Sequence, residues 1–249
     1  MARLLQHFLE PPHPCAYLPT REASLEVRVA VDVSPEQLDE LLQRGWRRFG
    51  PSYFRPACPS CRACVPTRVP VAQFRASRSQ RRARNQSSRL RRFVGKPQVD
   101  DERLQLYARW HLDRERAVGW DSTSLDAEGY AMEFAFPHPS VREVAFRDPG
   151  DEDRLVGIGI VDEVPSGLSA VYFFWDPEHA PSSLGTAHIV RLIDEAATRG
   201  LEYVHLGYRV DECPSLAYKG RFQPQEALAE LPAEGDPAMW RAGAARVTV

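Results

Sequence analysis

Residues 168–175 read LSAVYFFW, residues 183–199 read SLGTAHIVRLIDEAATR and residues 202–208 read EYVHLGY. The first stretch is apolar on both alternating faces, as a central strand covered on two sides requires. The second sets Ile189, Leu192, Ile193, Ala196 and Ala197 on one helical face and ends at Gly200. Strand, helix and strand in that order imply a crossover, so the second half is expected to be an α/β layer and not a purely antiparallel sheet. Upstream, VREVAF (141–146) and RLVGIGIV (154–161) are bounded by acidic and Gly/Pro turns and read as antiparallel neighbours of 168–175. Gly157 and Gly159 leave one face of their strand bare, open to close packing.

Toward the N-terminus, LEVRVAVDV (25–33) alternates as a half-buried strand. A helix follows, with Ser34 as cap, Pro35 in first position, Gln37 completing a capping box, Leu38, Leu41 and Leu42 as its apolar stripe and Gly45 at its close. The stretch from Trp46 to Val71 is rich in Pro and Cys and reads as a tethered loop region. Asp100 and Asp101 start a further helix, with Leu104, Tyr107, Ala108 and His111 on one face and Gly119 as its stop. These elements predict an α+β, α/β-layered fold in two regions, a small cysteine-containing N-terminal region at 1–70 and a larger domain at 71–249.

The chain has 249 residues, with 32 Lys and Arg against 34 Asp and Glu, so any nucleic-acid affinity must come from a local patch. Residues 75–92 supply one, with eight arginines and no acid. Arg78, Arg81 and Arg82 are the candidates for phosphate contacts, with Gln80, Asn85 and Gln86 adding polar ones; a solvated helix face is the alternative. No signal-peptide core and no apolar run of about 20 residues is present, so a cytoplasmic protein with no membrane partner is expected.

Cys58, Cys61 and Cys64 stand in CPSCRAC, and Cys15 can add a fourth thiolate; zinc, an iron–sulfur cluster, and buried reduced thiols are the three readings. Cys213 stands apart. Ser182, Ser183 and Gly185 open the 183–199 helix, whose free N–H groups suit a phosphate or an oxyanion; a simple serine cap is the alternative. Tyr218 and Lys219, in LAYKGRF, can stack a base and hold a terminal phosphate. No hydrolase triad, zinc-protease or nucleotide-hydrolysing motif occurs.

Taken in order, PCAYLPTREASLE, GWRRFGPSYFRPACPSCRACVPTRVPV, FRASRSQRRARN, GLSAVYFFWDP, SLG, LGY and YKGRFQP resemble the bacterial aspartate/glutamate leucyltransferases, relatives of the arginyl-tRNA-protein transferases, over about residues 14–226. The resemblance implies a GNAT-like acyltransferase domain, Leu-tRNA as donor, and a protein with N-terminal Asp or Glu as acceptor, marked thereby for the N-end rule (N-degron) degradation pathway. It also links Cys15, Cys58, Cys61 and Cys64 to metal or cluster binding and acceptor recognition. The chain departs from the family at Arg114, Glu115 and Arg116, where an Arg-His pair is common, and at Ser182, where Arg is common. It departs again at Arg209 and Val210, in place of Trp and Ile, and at Pro214, Ser215 and Leu216.

An aminoacyl ester is already activated, so positioning is the expected mode of catalysis and no cofactor is needed for the chemistry. In this picture Tyr218 and Lys219 position the aminoacyl end. Arg68 or Arg21 pairs with the acceptor's carboxylate, since a guanidinium fork suits it best. Phe173, Phe174 and Trp175 are candidates to line the leucyl pocket, with core packing the alternative for most of them; the sequence singles out no general base, and Asp176 is the nearest candidate. Three rivals follow: an arginyl donor held by Asp162, Glu163 or Asp176, a catalytically inactive tRNA-binding relative, and a thiol-based metal sensor.

Overall fold

A computed structural model describes residues 2–119, 122 and 124–243, without the side chains of 180–182; the Ser182 side chain lies outside the described residues. The chain opens with β1 (Arg3–Leu9), β2 (His13–Pro14), β3 (Glu22–Ala23), β4 (Leu25–Val31), α1 (Pro35–Gln43), β5 (Arg47–Phe49), β6 (Ser52–Pro56) and β7 (Val65–Pro70). Then come α2 (Arg78–Gln86), β8 (Arg91–Gly95), α3 (Asp101–Val118), α4 (Ala127–Phe134), β9 (Val141–Asp148), β10 (Arg154–Val164) and β11 (Gly167–Trp175). α5 (Leu184–Thr198), β12 (Tyr203–Arg209), α6 (Pro214–Ala217), β13 (Glu226–Leu228) and β14 (Trp240–Ala242) complete the fold.

The principal sheet has eight strands in the order β14-β13-β7-β12-β11-β10-β9-β8. β11 and β12 are its parallel pair, joined through α5, and the recorded neighbours on either side are antiparallel. This is the layered α+β arrangement that the sequence predicts. α5 and α2 cover one face over a core that includes Val190, Ile193, Val204 and Leu206. α3 and α4 cover the other, where Tyr107, Trp110, Tyr130, Phe134 and Phe174 form an aromatic cluster. No helix among the described residues is long and apolar enough to cross a membrane.

A second sheet, β1-β4-β6-β5, meets the first through α1 on β10 and β5 beside β11. α1 carries the expected capping box: Gln37 N donates to Ser34 Oγ (3.3 Å), and Ser34 N donates to Gln37 Oε1 (3.0 Å). Gly45 follows at φ +82°, a left-handed turn that glycine reaches without strain.

Two readings change and one, the close packing at Gly159, is met. The stretch expected as a loop region contains β5, β6 and β7, with β7 inside the large sheet between β12 and β13. Pro66 and Pro70 in β7, and the Gly50-Pro51 turn between β5 and β6, disguise these strands. Because β7 ends at residue 70, backbone pairing joins the cysteine-containing segment directly to the rest of the chain. α3 buries Arg103, Leu106, Tyr107, Trp110 and His111, whereas Ala108 faces solvent. The bare face of Gly159 is filled by His188 of α5; a Cβ there would lie 2.3 Å from its ring.

Candidate active site

The parallel pair holds together only where Gly167–Ser169 face Tyr203–His205, although β11 continues to Trp175 and β12 to Arg209. Beyond that point the strands part and leave a gap, at the place where β12 also shifts register against β7 between His205 and Gly207, with Gly207 at φ +78°. Arg47 of β5 reaches into the gap, Nη2 donating to the Ala170 carbonyl at 2.9 Å. A Cβ on Gly207 would stand 3.3 Å from Arg47 Nε, so glycine serves both the backbone turn and the close approach. Tyr208 Oη donates to the carbonyls of Gly45 (2.9 Å) and Phe54 (3.1 Å), tying the end of β12 to the N-terminal sheet.

Lys219 lies beside this gap, Nζ donating to the Tyr208 carbonyl at 2.9 Å. Burial, with the Arg47 charge adding to it, pulls its ammonium down to about 7. The turn that carries it is anchored twice. Gln225 Nε2 donates to the Lys219 carbonyl (2.8 Å) and Gln225 Oε1 accepts from Arg209 Nη1 (2.8 Å), while Gln80 Nε2 of α2 donates to the Arg221 carbonyl (3.0 Å). Tyr218 packs against the core beneath α5, and burial pushes its hydroxyl up to about 12. The Tyr218–Lys219 turn and the arginine-bearing helix are thereby brought together. Arg78, Arg81 and Arg82 are exposed on α2, as phosphate contacts require, but Gln80 is buried and holds the turn instead of facing a ligand.

Arg68 and Asp176 are both occupied. Arg68 is buried in β7, pairs with Glu226 at 2.7 Å, and lies between the rings of Tyr203 (3.6 Å) and Trp240 (4.2 Å). Asp176 is buried at the end of β11, bound by Arg109 (3.1 Å), Arg154 (3.4 Å) and the Glu178 amide (3.1 Å). Arg21 is half-buried, with Nη1 3.6 Å from Cys61 Sγ. Among the aromatic candidates, Phe174 is core. Phe173 stacks on buried His188 (4.5 Å) and on Trp175 (5.8 Å); Phe173 and Trp175 are half-buried above Gly185, and Arg114 lies 5.8 Å from the Trp175 ring. Ser183, at φ +52°, makes no side-chain cap to α5, so the simple-cap alternative does not describe it.

Cys15, Cys61 and Cys64 pack around Leu18, Val210 and Cys213, so Cys213 belongs with the thiols from which the sequence seemed to separate it. Cys58 is also close: its charge and those of Cys15, Cys61 and Cys213 add to the burial that pushes the Cys64 thiol up to about 12. Among the described residues no three His, Cys, Asp or Glu side chains are grouped as ligands of one metal ion.

The arginine-tRNA-protein transferase N-terminal description matches residues 13–82, and its C-terminal description matches residues 102–229. The chain belongs to the arginine-tRNA-protein transferase family. Within that family it is 36% identical over 229 residues to the aspartate/glutamate leucyltransferase of Marinobacter nauticus, covering 92% of this chain and 94% of the relative. It is 35% identical to the enzyme of the same name from Polynucleobacter necessarius (91% and 90% covered), and 33% identical to one from Campylobacter jejuni (86% and 89%). Among solved structures, L-PGS from Bacillus licheniformis aligns at a TM-score of 0.43 with 16% identity, over 59% of this chain and 45% of that one.

Arg47 is the residue at the gap between β11 and β12 that sequence reading did not single out. The available signal was the pair Arg47-Arg48 on a strand, whose side chains must face opposite ways.

Proposed function

We propose that the chain transfers leucine from Leu-tRNA to the N-terminal α-amine of proteins beginning with Asp or Glu, delivering them to N-end rule degradation. The amine nitrogen attacks the ester carbonyl, the C–N bond forms, the bond to the ribose oxygen breaks, and the amine's proton ends on that oxygen. The donor's acyl end lies against the Tyr218–Lys219 turn, its phosphates on Arg78, Arg81 and Arg82, and its leucyl side chain against Phe173 and Trp175. Lys219, near neutrality, is partly unprotonated at physiological pH and is the group beside the gap able to take the amine's proton.

One observation favours leucyl over arginyl. Each acid that an arginyl side chain would need is already paired: Asp162 with Arg48, Glu163 with Arg199, and Asp176 with Arg109 and Arg154. A cationic side chain entering here would find no uncompensated carboxylate among them, whereas leucine needs only apolar wall. Leu-tRNA and Arg-tRNA offered together in limiting amounts test this. Leucine is expected in the product; preferential arginine transfer would sink the reading.

A further inference from the structure

Successive side chains of a strand face opposite sides. On β5, Arg48 turns into the body and is held by buried Asp162 and by the Gly50 carbonyl at 2.7 Å, while Arg47 turns into the gap between β11 and β12. A guanidinium has five N–H donors. Arg47 uses one, to Ala170, and forms no ion pair among the described residues; Arg48 and Arg68 each hold a carboxylate. The groups that feel its charge are Lys219, His205, Tyr208 and Asp162, and Asp162 is already taken by Arg48. A half-buried guanidinium without an anion is costly and stays available to one.

We propose that Arg47 sets acceptor specificity by receiving the side-chain carboxylate of the acceptor's N-terminal Asp or Glu. The inference rests on the acidic-acceptor reading above and names its recognition residue, in place of Arg68, whose charge Glu226 satisfies. The position selects a carboxylate over a donor phosphate. β5 lies on the α3–α4 side of the sheet, where its Phe49 packs with Phe134 and Tyr172, whereas the exposed arginines of α2 lie beside α5 on the opposite side. Donor and acceptor thus approach the gap from different faces. Arg47 touches Gly207, and Lys219 binds the next carbonyl along, Tyr208, so a carboxylate on Arg47 leaves the acceptor's α-amine within reach of the Lys219 turn. A planar guanidinium can grip a carboxylate with two parallel hydrogen bonds, which a neutral N-terminal residue cannot reciprocate.

The test compares peptides starting with Asp and with Asn, equal in size and differing in charge, on the wild type, Arg47→Gln and Arg47→Lys. In Arg47→Gln, the Asp-to-Asn ratio of kcat/KM is expected to fall about 100-fold, with the KM for Leu-tRNA changed less than about 3-fold. Arg47→Lys, which keeps the charge and loses the fork, should keep part of the preference for Asp and carries the test if the glutamine variant does not fold. Equal losses on both peptides, or a loss confined to the KM for Leu-tRNA, would overturn the assignment. Equilibrium binding of the same peptides, which needs no donor, gives the Asp-to-Asn ratio even if the wild type transfers no leucine, so the acceptor assignment and the donor reading fail separately.

Discussion

Arg209 Nη1 donates to Gln225 Oε1 at 2.8 Å, and the other end of the same amide holds the Lys219 carbonyl. Arg209, one of the positions where the sequence departs from the pattern implied by the resemblance, is among the largest fully buried side chains of the chain. Its departure from the family pattern is therefore built into the support of the Lys219 turn. Gln225→Glu keeps an acceptor for Arg209 and removes the donor to Lys219. It should lower kcat on the order of 10- to 100-fold while leaving Leu-tRNA binding within about 2-fold, because a small displacement of a positioning group is enough to lose that much. Unchanged kcat would mean that the turn holds itself.

His188 occupies the space above Gly159, stacked on Phe173, and cannot move aside freely. Gly159→Ala drives a Cβ into that ring and should cost about 1–3 kcal/mol by overpacking. In a chain of this size that lowers Tm by about 2–4 °C per kcal/mol. A wild-type Tm would show that α5 can slide.

Burial pulls His188 down to about 3, with Arg92 contributing, and His138 down to about 4, with Arg48 contributing; His205 is likewise well below its ordinary 6.5. Neutral in the fold and protonated in the unfolded chain below pH 6.5, these groups bind more protons when unfolded. Their contribution is fully present above about pH 6.5 and is lost as pH falls toward their folded values. Denaturation midpoints should decline from pH 6.5 to 5, by up to roughly 1.4 kcal/mol per pH unit for each such histidine, before the carboxylates begin to titrate. His188→Leu should flatten part of the slope, and a profile flat in the wild type would contradict the burial.

With the donor's phosphates on the α2 arginines, as proposed, donor binding is expected to be salt-dependent. Arg81→Ala and Arg82→Ala should each lower the slope of log K against log salt by about 1, and by about 2 together. A slope unchanged in the double variant would place the phosphates elsewhere.

Strands β9 to β12 and helix α5 were legible in the sequence because each is long, periodic and bounded by turn residues. β5 to β7 were not, since their prolines and cysteines resemble loop composition even though the strands pair across the sheets. The same concealment explains the site. Arg68 looked like a free loop arginine because nothing local reveals Glu226, 158 positions away. Arg47 lies within the GWRRFGP stretch that carries the resemblance, but nothing local sets it apart from Arg48, and its place at the gap appears only when β11 and β12 part. The α2 arginines and the Tyr218–Lys219 turn were legible from composition, whereas their linkage through Gln80 was not.

The most direct test is transfer of radiolabelled leucine from Leu-tRNA to peptides beginning with Asp, Glu, Arg or Ala. Label on the Asp and Glu peptides alone is the predicted result. Label on the Arg or Ala peptides to a similar extent, or on none while Leu-tRNA still binds, would contradict the assignment of this chain as a leucyl transferase for acidic N-termini.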